Sequence, residues 1–280
     1  MRYTARPMPK IPFWKIQTIG NHFVLVHGRD VEGADLGTLA EKMCAKQWGI
    51  GADGLLIISP MQEGSDYQVE MRMFNPDGTE DFCGNGVRCA AVHAAEQNWA
   101  KGRFIIRQKG IPVQVEVFLD SEAASWLPAA TFDSEEIPFT GSREERWATV
   151  QGVKGVPVST GTTHFVVPVD ELPSDQEFRT LSPRIEEDSA FPERTSIMWT
   201  QKLGVRHIKL KIWERGVGST LGCGTGSSAA ALVTALTEKT WGEILVENPG
   251  GLLKVSVESE DGEIRSQSKV ETPFFGTFDA

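Results

Sequence analysis

The sequence predicts an α/β (α+β) protein of two similar domains, and three observations carry that prediction. "DFCGNGVRCAA" from Asp81 and "LGCGTGSSAAA" from Leu221 each set a cysteine before Gly-polar-Gly, then run into small, helix-compatible residues. Each motif follows a stretch alternating in period two, the mark of a half-buried strand, and each precedes a hairpin-like segment. At 280 residues the chain has room for two domains of about 140 residues each.

The elements follow in chain order. "MRYTARPMPKIPFWK" has basic residues but no apolar stretch of signal-peptide type, and reads as a short, loosely attached leader. "GIGADG" reads as a tight turn into the buried strand "LLII". In the first half, "VEMRMFN" (69–75) is a strand, "PDGTEDF" a linker, and a helix runs from Gly86 to about Trp99. "RFIIRQKGIPVQVEVFLD" then forms a hairpin. The second half repeats this with "IKLKIWE" (208–214), "RGVGSTLG", a helix from Gly226 to about Lys239, and the hairpin "EILVENPGGLLKVSVESEDG". A unit this long is too large for a solenoid repeat and reads as a duplicated domain.

Strand signals fade and Ser, Glu and Pro accumulate in "DSEAASWLPAATFDSEEIPFTGSREER", which places the boundary there. The expected domains are 1–126 and 127–268, with a last strand at about 269–280 returning to the first. Region 170–194, with "ELPSD", "LSPR" and "FPER", reads as an irregular surface excursion.

Composition bounds the function. The hydrophobic share is 40% and the charged share 24%, ordinary for a globular chain able to build a large core. A net charge of −10 argues against general binding to nucleic acid or to anionic membranes. No apolar run approaches the roughly 20 residues of a membrane span. The four cysteines, Cys44, Cys83, Cys89 and Cys223, are too few and too scattered for a secreted disulfide framework. A reducing, cytoplasmic setting is the expectation.

A cysteine opening a helix through Gly-Asn-Gly or Gly-Thr-Gly sits among amides that lack intrahelical partners. The positive end of the helix favours a thiolate, and the glycines let a ligand carboxylate approach the backbone. Two such sites, facing each other across a cleft, would set Cys83 and Cys223 on opposite faces of one carbon. A thiolate on one face and a thiol on the other suit inversion by proton removal and return, with no cofactor. The competing reading is a pair of buried helix-capping cysteines that fill space. Cys44 and Cys89 lack the glycine context, and Cys89 reads as a packing residue inside the helix.

"GNHFVLV", "GIGADGLLII", "NPDGTEDFCGNGVRCAA", "ERGVGSTLGCGTGSSAAA" and "NPGG", in that order, resemble the diaminopimelate epimerase family from about Phe13 to the C-terminus. The resemblance implies two pseudo-symmetric domains, each a curled, mostly antiparallel sheet around a central helix, with the active site in the interdomain cleft. It implies cofactor-independent, two-base epimerisation of L,L- to meso-diaminopimelate and a homodimer. By resemblance Cys83 and Cys223 are the acid/base pair, and His164 and Glu214 tune the thiols. Gly84 with Asn85 and Gly224 with Thr225 hold the reacting carboxylate. Asn21 and Asn75 bind substrate, and Glu214 with Arg215 form the family's Glu-Arg pair, the arginine gripping a carboxylate.

Two positions depart from the family pattern. Thr162, in "GTTH", and Ser196, in "FPERTS", stand where asparagines usually read the distal end of diaminopimelate. A hydroxyl is shorter than an amide and lacks its paired donor and acceptor. A racemase of another amino acid, histidine among them, is therefore the second reading. A dithiol redox protein is a third, disfavoured by the absence of C-x-x-C, and a non-catalytic amino-acid-binding module is a fourth. The partner in the leading reading is a small amino acid, and no metal is expected because no paired Cys and His ligand spacing occurs.

Overall fold

The computed structural model describes residues 10–62, 64–127 and 129–279. Contacts divide the chain into two units: the chain up to Thr18, His22–Ala123 and the segment from Lys269, and separately Ile19–Asn21 with Ala124–Ser268.

The first unit contains β1 (Lys10–Thr18), β2 (Asn21–His27), α1 (Leu36–Cys44), β3 (Gly54–Pro60), β4 (Val69–Phe74), α2 (Gly84–Glu96), β5 (Arg103–Gln108) and β6 (Ile111–Val117). Strand β7 (Glu122–Leu127) leads into the second unit. There follow β8 (Arg143–Glu144), β9 (Trp147–Val150), β10 (Val153–Ser159), β11 (Thr163–Val169), α3 (Asp175–Glu186), β12 (Ser196–Gly204), β13 (His207–Glu214), β14 (Gly218–Ser219), α4 (Gly224–Glu238), β15 (Gly242–Asn248), β16 (Gly251–Val257) and β17 (Ile264–Lys269). The last strand, β18 (Glu271–Asp279), pairs antiparallel with β1.

The duplication is visible in the pairing. In the first unit β2 runs parallel to β3, β3 antiparallel to β4, β4 parallel to β5 and β5 antiparallel to β6. In the second, β11, β12, β13, β15 and β16 repeat the same alternation of parallel and antiparallel partners. In each unit one helix follows the third strand of this series, α2 after β4 and α4 after β13.

These helices are central because nearly every face of them is apolar or small. Residues from Gly84 to Ala94 of α2 are all buried, as are those from Gly224 to Ala235 of α4 except Thr225. A helix that is apolar all round must be wrapped on all sides. Leu56, Ile58, Met71, Ile106 and Val115 do so around α2, and Met198, Leu210, Ile212, Val246 and Val255 around α4. Cys89 is a packing residue, fully buried in the first of these cores.

Four local expectations change. Lys10–Lys15, placed in the leader, belong to β1, while residues 1–9 lie outside the described residues. The two central helices begin at Gly84 and Gly224, two residues before the glycines chosen from the sequence, because each cysteine takes the cap position. Region 170–194 contains α3, closed at its start by a capping box between Ser174 and Glu177 and carrying Pro183 inside. Finally, β7 lies in the stretch where strand signals fade; it pairs with β17, and Ser125 Oγ sits 3.3 Å from Ser266 Oγ.

Helix α2 also carries a buried histidine with a consequence for stability. His93 Nε2 lies 2.9 Å from His27 Nε2, and the pair is enclosed by Trp14 and Trp99. Burial, and then the His27 charge, push His93 down to about 4. An unfolded histidine titrates at about 6.5. Between these two values the unfolded chain takes the proton and the folded chain does not. Stability is therefore lost as pH falls from about 6.5 toward 4. At about 1.4 kcal/mol per pH unit, this window removes on the order of 3 kcal/mol. Urea unfolding at pH 7, 6 and 5 is expected to show this slope in the parent chain and a shallower one in His93→Gln.

Candidate functional site

Both cysteines are helix caps. Cys83 precedes α2 with φ −145° and ψ 107°, and its sulfur accepts the Gly86 amide at 3.3 Å. Cys223 precedes α4 with φ −127° and ψ 114°, and its sulfur accepts the Gly226 amide, also at 3.3 Å. Sulfur thus takes the place that Ser, Thr, Asp or Asn usually fills. The glycine three residues past each cysteine keeps space beside the sulfur. A Cβ on Gly86 would come within 2.9 Å of Leu56 Cδ2, and one on Gly226 within 2.5 Å of Met198 Sδ and 3.2 Å of Cys223 Sγ.

Around Cys83, the half-buried sulfur sits at the end of a loop that β5 holds in place. Gln108, fully buried, accepts the Cys83 amide through Oε1 at 3.3 Å and donates from Nε2 to the Asp81 carbonyl at 3.1 Å. Asn75 directly follows β4, and its side-chain amide donates to Thr79 Oγ1 at 3.1 Å within the turn that starts the loop. Asn85 is buried in the first turn of α2, its Oδ1 accepting from the buried guanidinium of Arg88. Gly84, as the first helical residue, has an amide without an intrahelical acceptor.

The surroundings of Cys223 are more elaborate. The chain before it packs against Ile19: a Cβ on Gly222 would lie 2.3 Å from the Ile19 carbonyl oxygen, and one on Gly250 would lie 2.2 Å from it. This close threading, closed by a 2.7 Å bond from the Gly250 amide to the Leu221 carbonyl, brings Ile19–Asn21 against the Cys223 turn. Asn248, at the end of β15, accepts from Ser227 Oγ at 2.8 Å and so ties the first turn of α4 to the sheet.

Glu214, the last residue of β13, accepts the Thr220 hydroxyl and faces the Cys223 thiol. Burial first, and then the Glu214 charge, raise the Cys223 thiol well above the ordinary range, while Thr225 and the Gly226 amide pull the other way. Thr225 Oγ1 lies 3.5 Å from Cys223 Sγ and 3.2 Å from Thr162 Oγ1, and Thr162 Oγ1 lies 2.9 Å from His164 Nε2. His164 is buried on β11, and burial with the positive charge of Arg215 pushes it down to about 3, so it is neutral at pH 7.

Arg215 follows β13 in an exposed loop that the fold pins from several directions. Its amide donates to the buried Ser196 Oγ at 3.1 Å and its guanidinium to the Glu193 carbonyl at 3.1 Å. Glu186, a buried carboxylate at the end of α3, accepts the Gly216 amide at 2.7 Å and the Trp213 indole N–H at 2.6 Å, and is paired with Arg194.

The structure therefore gathers Cys223, Glu214, Thr225, Thr162 and His164 in one hydrogen-bonded cluster beside Ser196 and Arg215. Cys83, Gly84, Asn85 and Asn75 lie along one loop and helix start. Thr162 and Ser196 both turn their hydroxyls to protein partners. Gln108, Asn248 and Glu186 were not singled out from the sequence, although a polar residue in the core-facing phase of β5 and β15 is a readable signal.

The pattern of the family described as Diaminopimelate epimerase matches residues 13–127 and 156–272. The chain belongs to the diaminopimelate epimerase family. Within it, a diaminopimelate epimerase of Synechococcus sp. (strain JA-3-3Ab) is 35% identical over 268 residues, 88% of this chain and 90% of the relative. One of Microcystis aeruginosa (strain NIES-843 / IAM M-2473) is 34% identical over 282 residues, 96% of this chain and 99% of the relative. Among solved structures, a phenazine biosynthesis protein of the PhzF family from Bacillus anthracis shares the fold, with a TM-score of 0.70 over 97% of this chain and 99% of the other at 18% identity. Family membership makes the protein an isomerase of the epimerase type. No helix among the described residues is long and apolar enough to cross a membrane.

Proposed function

We propose that the chain converts L,L-diaminopimelate to the meso isomer by a cofactor-independent exchange of the Cα proton between Cys83 and Cys223. The observation that carries this reading is the duplicated cap: two cysteines, each holding the amide of a glycine three residues on, at the starts of two equivalent buried helices. Family membership and the relatives' names support the substrate.

In one direction the Cys83 thiolate takes the Cα proton, the electron pair of the C–H bond passes to the carbon, and the Cys223 thiol returns a proton to the opposite face. Cys223 ends as the thiolate and Cys83 as the thiol, and the reverse reaction restores them. The raised Cys223 thiol supports its resting protonated, and Glu214 is the group placed to accept its proton when it must act as base. The carbanion is stabilised through its carboxylate, which the first amides of α2 and α4, at Gly84, Asn85, Gly224 and Thr225, hold at the positive helix ends. Asn21 and Asn75 line the substrate. Arg215 grips the distal carboxylate from a loop that Ser196 and Glu186 keep in shape.

A racemase acting on another amino acid is the second reading, favoured by the engagement of the Thr162 and Ser196 hydroxyls with protein partners. Cytoplasmic residence and a homodimer are part of the proposal; the exposed Phe274 and Phe275 of β18 support an assembly surface on the first unit. Chiral chromatography of products from L,L-diaminopimelate, histidine, lysine and glutamate separates the readings. Meso product from diaminopimelate alone is expected. Racemisation of another member of the panel, with diaminopimelate unchanged, would move the substrate and keep the chemistry.

A further inference from the structure

We infer that Thr162 and Thr225 form a hydroxyl relay that links the buried imidazole of His164 to Cys223, making Thr162 a positioning residue for the thiolate and not a substrate ligand. This rests on the reading of Cys223 as an acid/base group.

Three successive contacts of 3.5, 3.2 and 2.9 Å join Cys223 Sγ, Thr225 Oγ1, Thr162 Oγ1 and His164 Nε2. The spacing is enforced from outside the chain of contacts. Thr160 Oγ1, buried in the turn between β10 and β11, donates to the Thr225 carbonyl at 2.9 Å and ties that turn to the first turn of α4. His164 is fixed by β11, where it pairs with Val158 and Ser196 on its two neighbours.

The hydrogens have one favourable direction. His164 Nδ1 is buried and has no hydrogen-bond partner among the described residues. If Nδ1 carried the hydrogen, a buried donor would be left unmade, which is the costlier orphan. With the hydrogen on Nε2, the imidazole donates to Thr162, Thr162 donates to Thr225, and Thr225 donates to the sulfur. Every hydrogen then points toward Cys223, so the relay stabilises the thiolate left once the thiol proton has gone to substrate. Glu214 on β13 faces the same sulfur as an acceptor, and Arg215 is the cation beside His164. The sulfur thus lies between a proton acceptor and a chain of donors, which suits a group that alternates between thiol and thiolate.

Thr162→Val keeps the shape and removes the hydroxyl, and Thr162→Ser restores it. On L,L-diaminopimelate, Thr162→Val is expected to lower kcat about tenfold with KM within about twofold, and to move the falling limb of kcat, set by the thiol that must hold its proton, to higher pH. Thr162→Ser should recover most of the rate. A Thr162→Val/Thr225→Val double variant should lose little more than the worse single variant, since one relay is broken only once. A raised KM at unchanged kcat would make Thr162 a substrate ligand and overturn the proposal, as would parental kinetics in Thr162→Val. If Thr162→Val does not fold, Thr225→Ser against Thr225→Val gives the same comparison, and equal rates in those two would overturn it. Cys223→Ala separates the underlying reading: activity in that variant defeats the two-cysteine mechanism, whereas an inactive Cys223→Ala beside a fully active Thr162→Val defeats the relay alone.

Discussion

Replacing either Cys83 or Cys223 by serine is expected to lower kcat at least about a thousandfold while leaving the fold intact. Serine is a favoured helix cap, and its oxygen can accept the Gly86 or Gly226 amide as the sulfur does. The substitution therefore separates the two jobs of each cysteine. If the sulfur were only a cap, serine would serve as well or better and activity would survive. If it carries the proton, the hydroxyl fails, because its acidity is far from that of a thiol and it is not ionised at neutral pH. Alanine should be equally inactive but less stable by about 1 kcal/mol, the usual cost of a lost cap. Thermal unfolding of the four variants beside their kcat values tests both halves. Substantial activity in either serine variant would leave the corresponding cysteine as a structural residue.

The second large effect is expected at Arg215. Arg215→Met should raise KM for diaminopimelate between about tenfold and a hundredfold, the range for losing a charged hydrogen-bonded contact. It should barely change stability, because the side chain is exposed and the loop is held by other groups. Ser196 accepts the Arg215 amide, which methionine retains, and Glu186 accepts the neighbouring Gly216 amide. Lysine, which lacks the distal carboxylate, should exchange its Cα proton equally slowly in parent and variant. An unchanged KM for diaminopimelate would remove Arg215 from substrate recognition.

The sequence carried the duplicated domain because the features that define it are local. Period-two alternation in Val69–Phe74 and His207–Glu214, Gly and Pro at the hairpin turns, and Cys-Gly-polar-Gly before a run of small residues are each decided within about ten positions. The family resemblance added the sheet wrapped on a central helix, and the burial of α2 and α4 on nearly every side accounts for it. Helix α3 was hidden because its proline and acidic residues resemble a loop, although Ser174 and Glu177 spell a capping box ahead of Phe178 and Ile185. β7 was hidden because "EAASWL" has little β-branched character and becomes a strand through its pairing with β17.

At the site, the cysteines and their glycines were legible, while the groups that hold them were less so. Gln108 continues the inward phase of Phe104 and Ile106, and Asn248 that of Ile244 and Val246. Such a polar residue in a core phase marks a buried hydrogen-bonding duty, here the Cys83 amide in one half and Ser227 in the other. Glu186 has no such mark. Its carboxylate is buried only because tertiary packing brings Trp213, Arg194 and the Gly216 amide to it. Nor does the sequence disclose that Thr162 turns to His164 and Thr225, since that follows from the meeting of one turn with one helix start.

The measurement that bears most directly on the mechanism is early-time NMR and mass analysis of L,L-diaminopimelate turned over in D2O. With two thiols acting from opposite faces, the meso product is expected to carry deuterium at the inverted carbon from the first turnovers, while unreacted substrate stays protonated. Meso product that retains its original hydrogen, or substrate and product labelled equally from the outset, would mean that one base serves both faces and would contradict the exchange between Cys83 and Cys223.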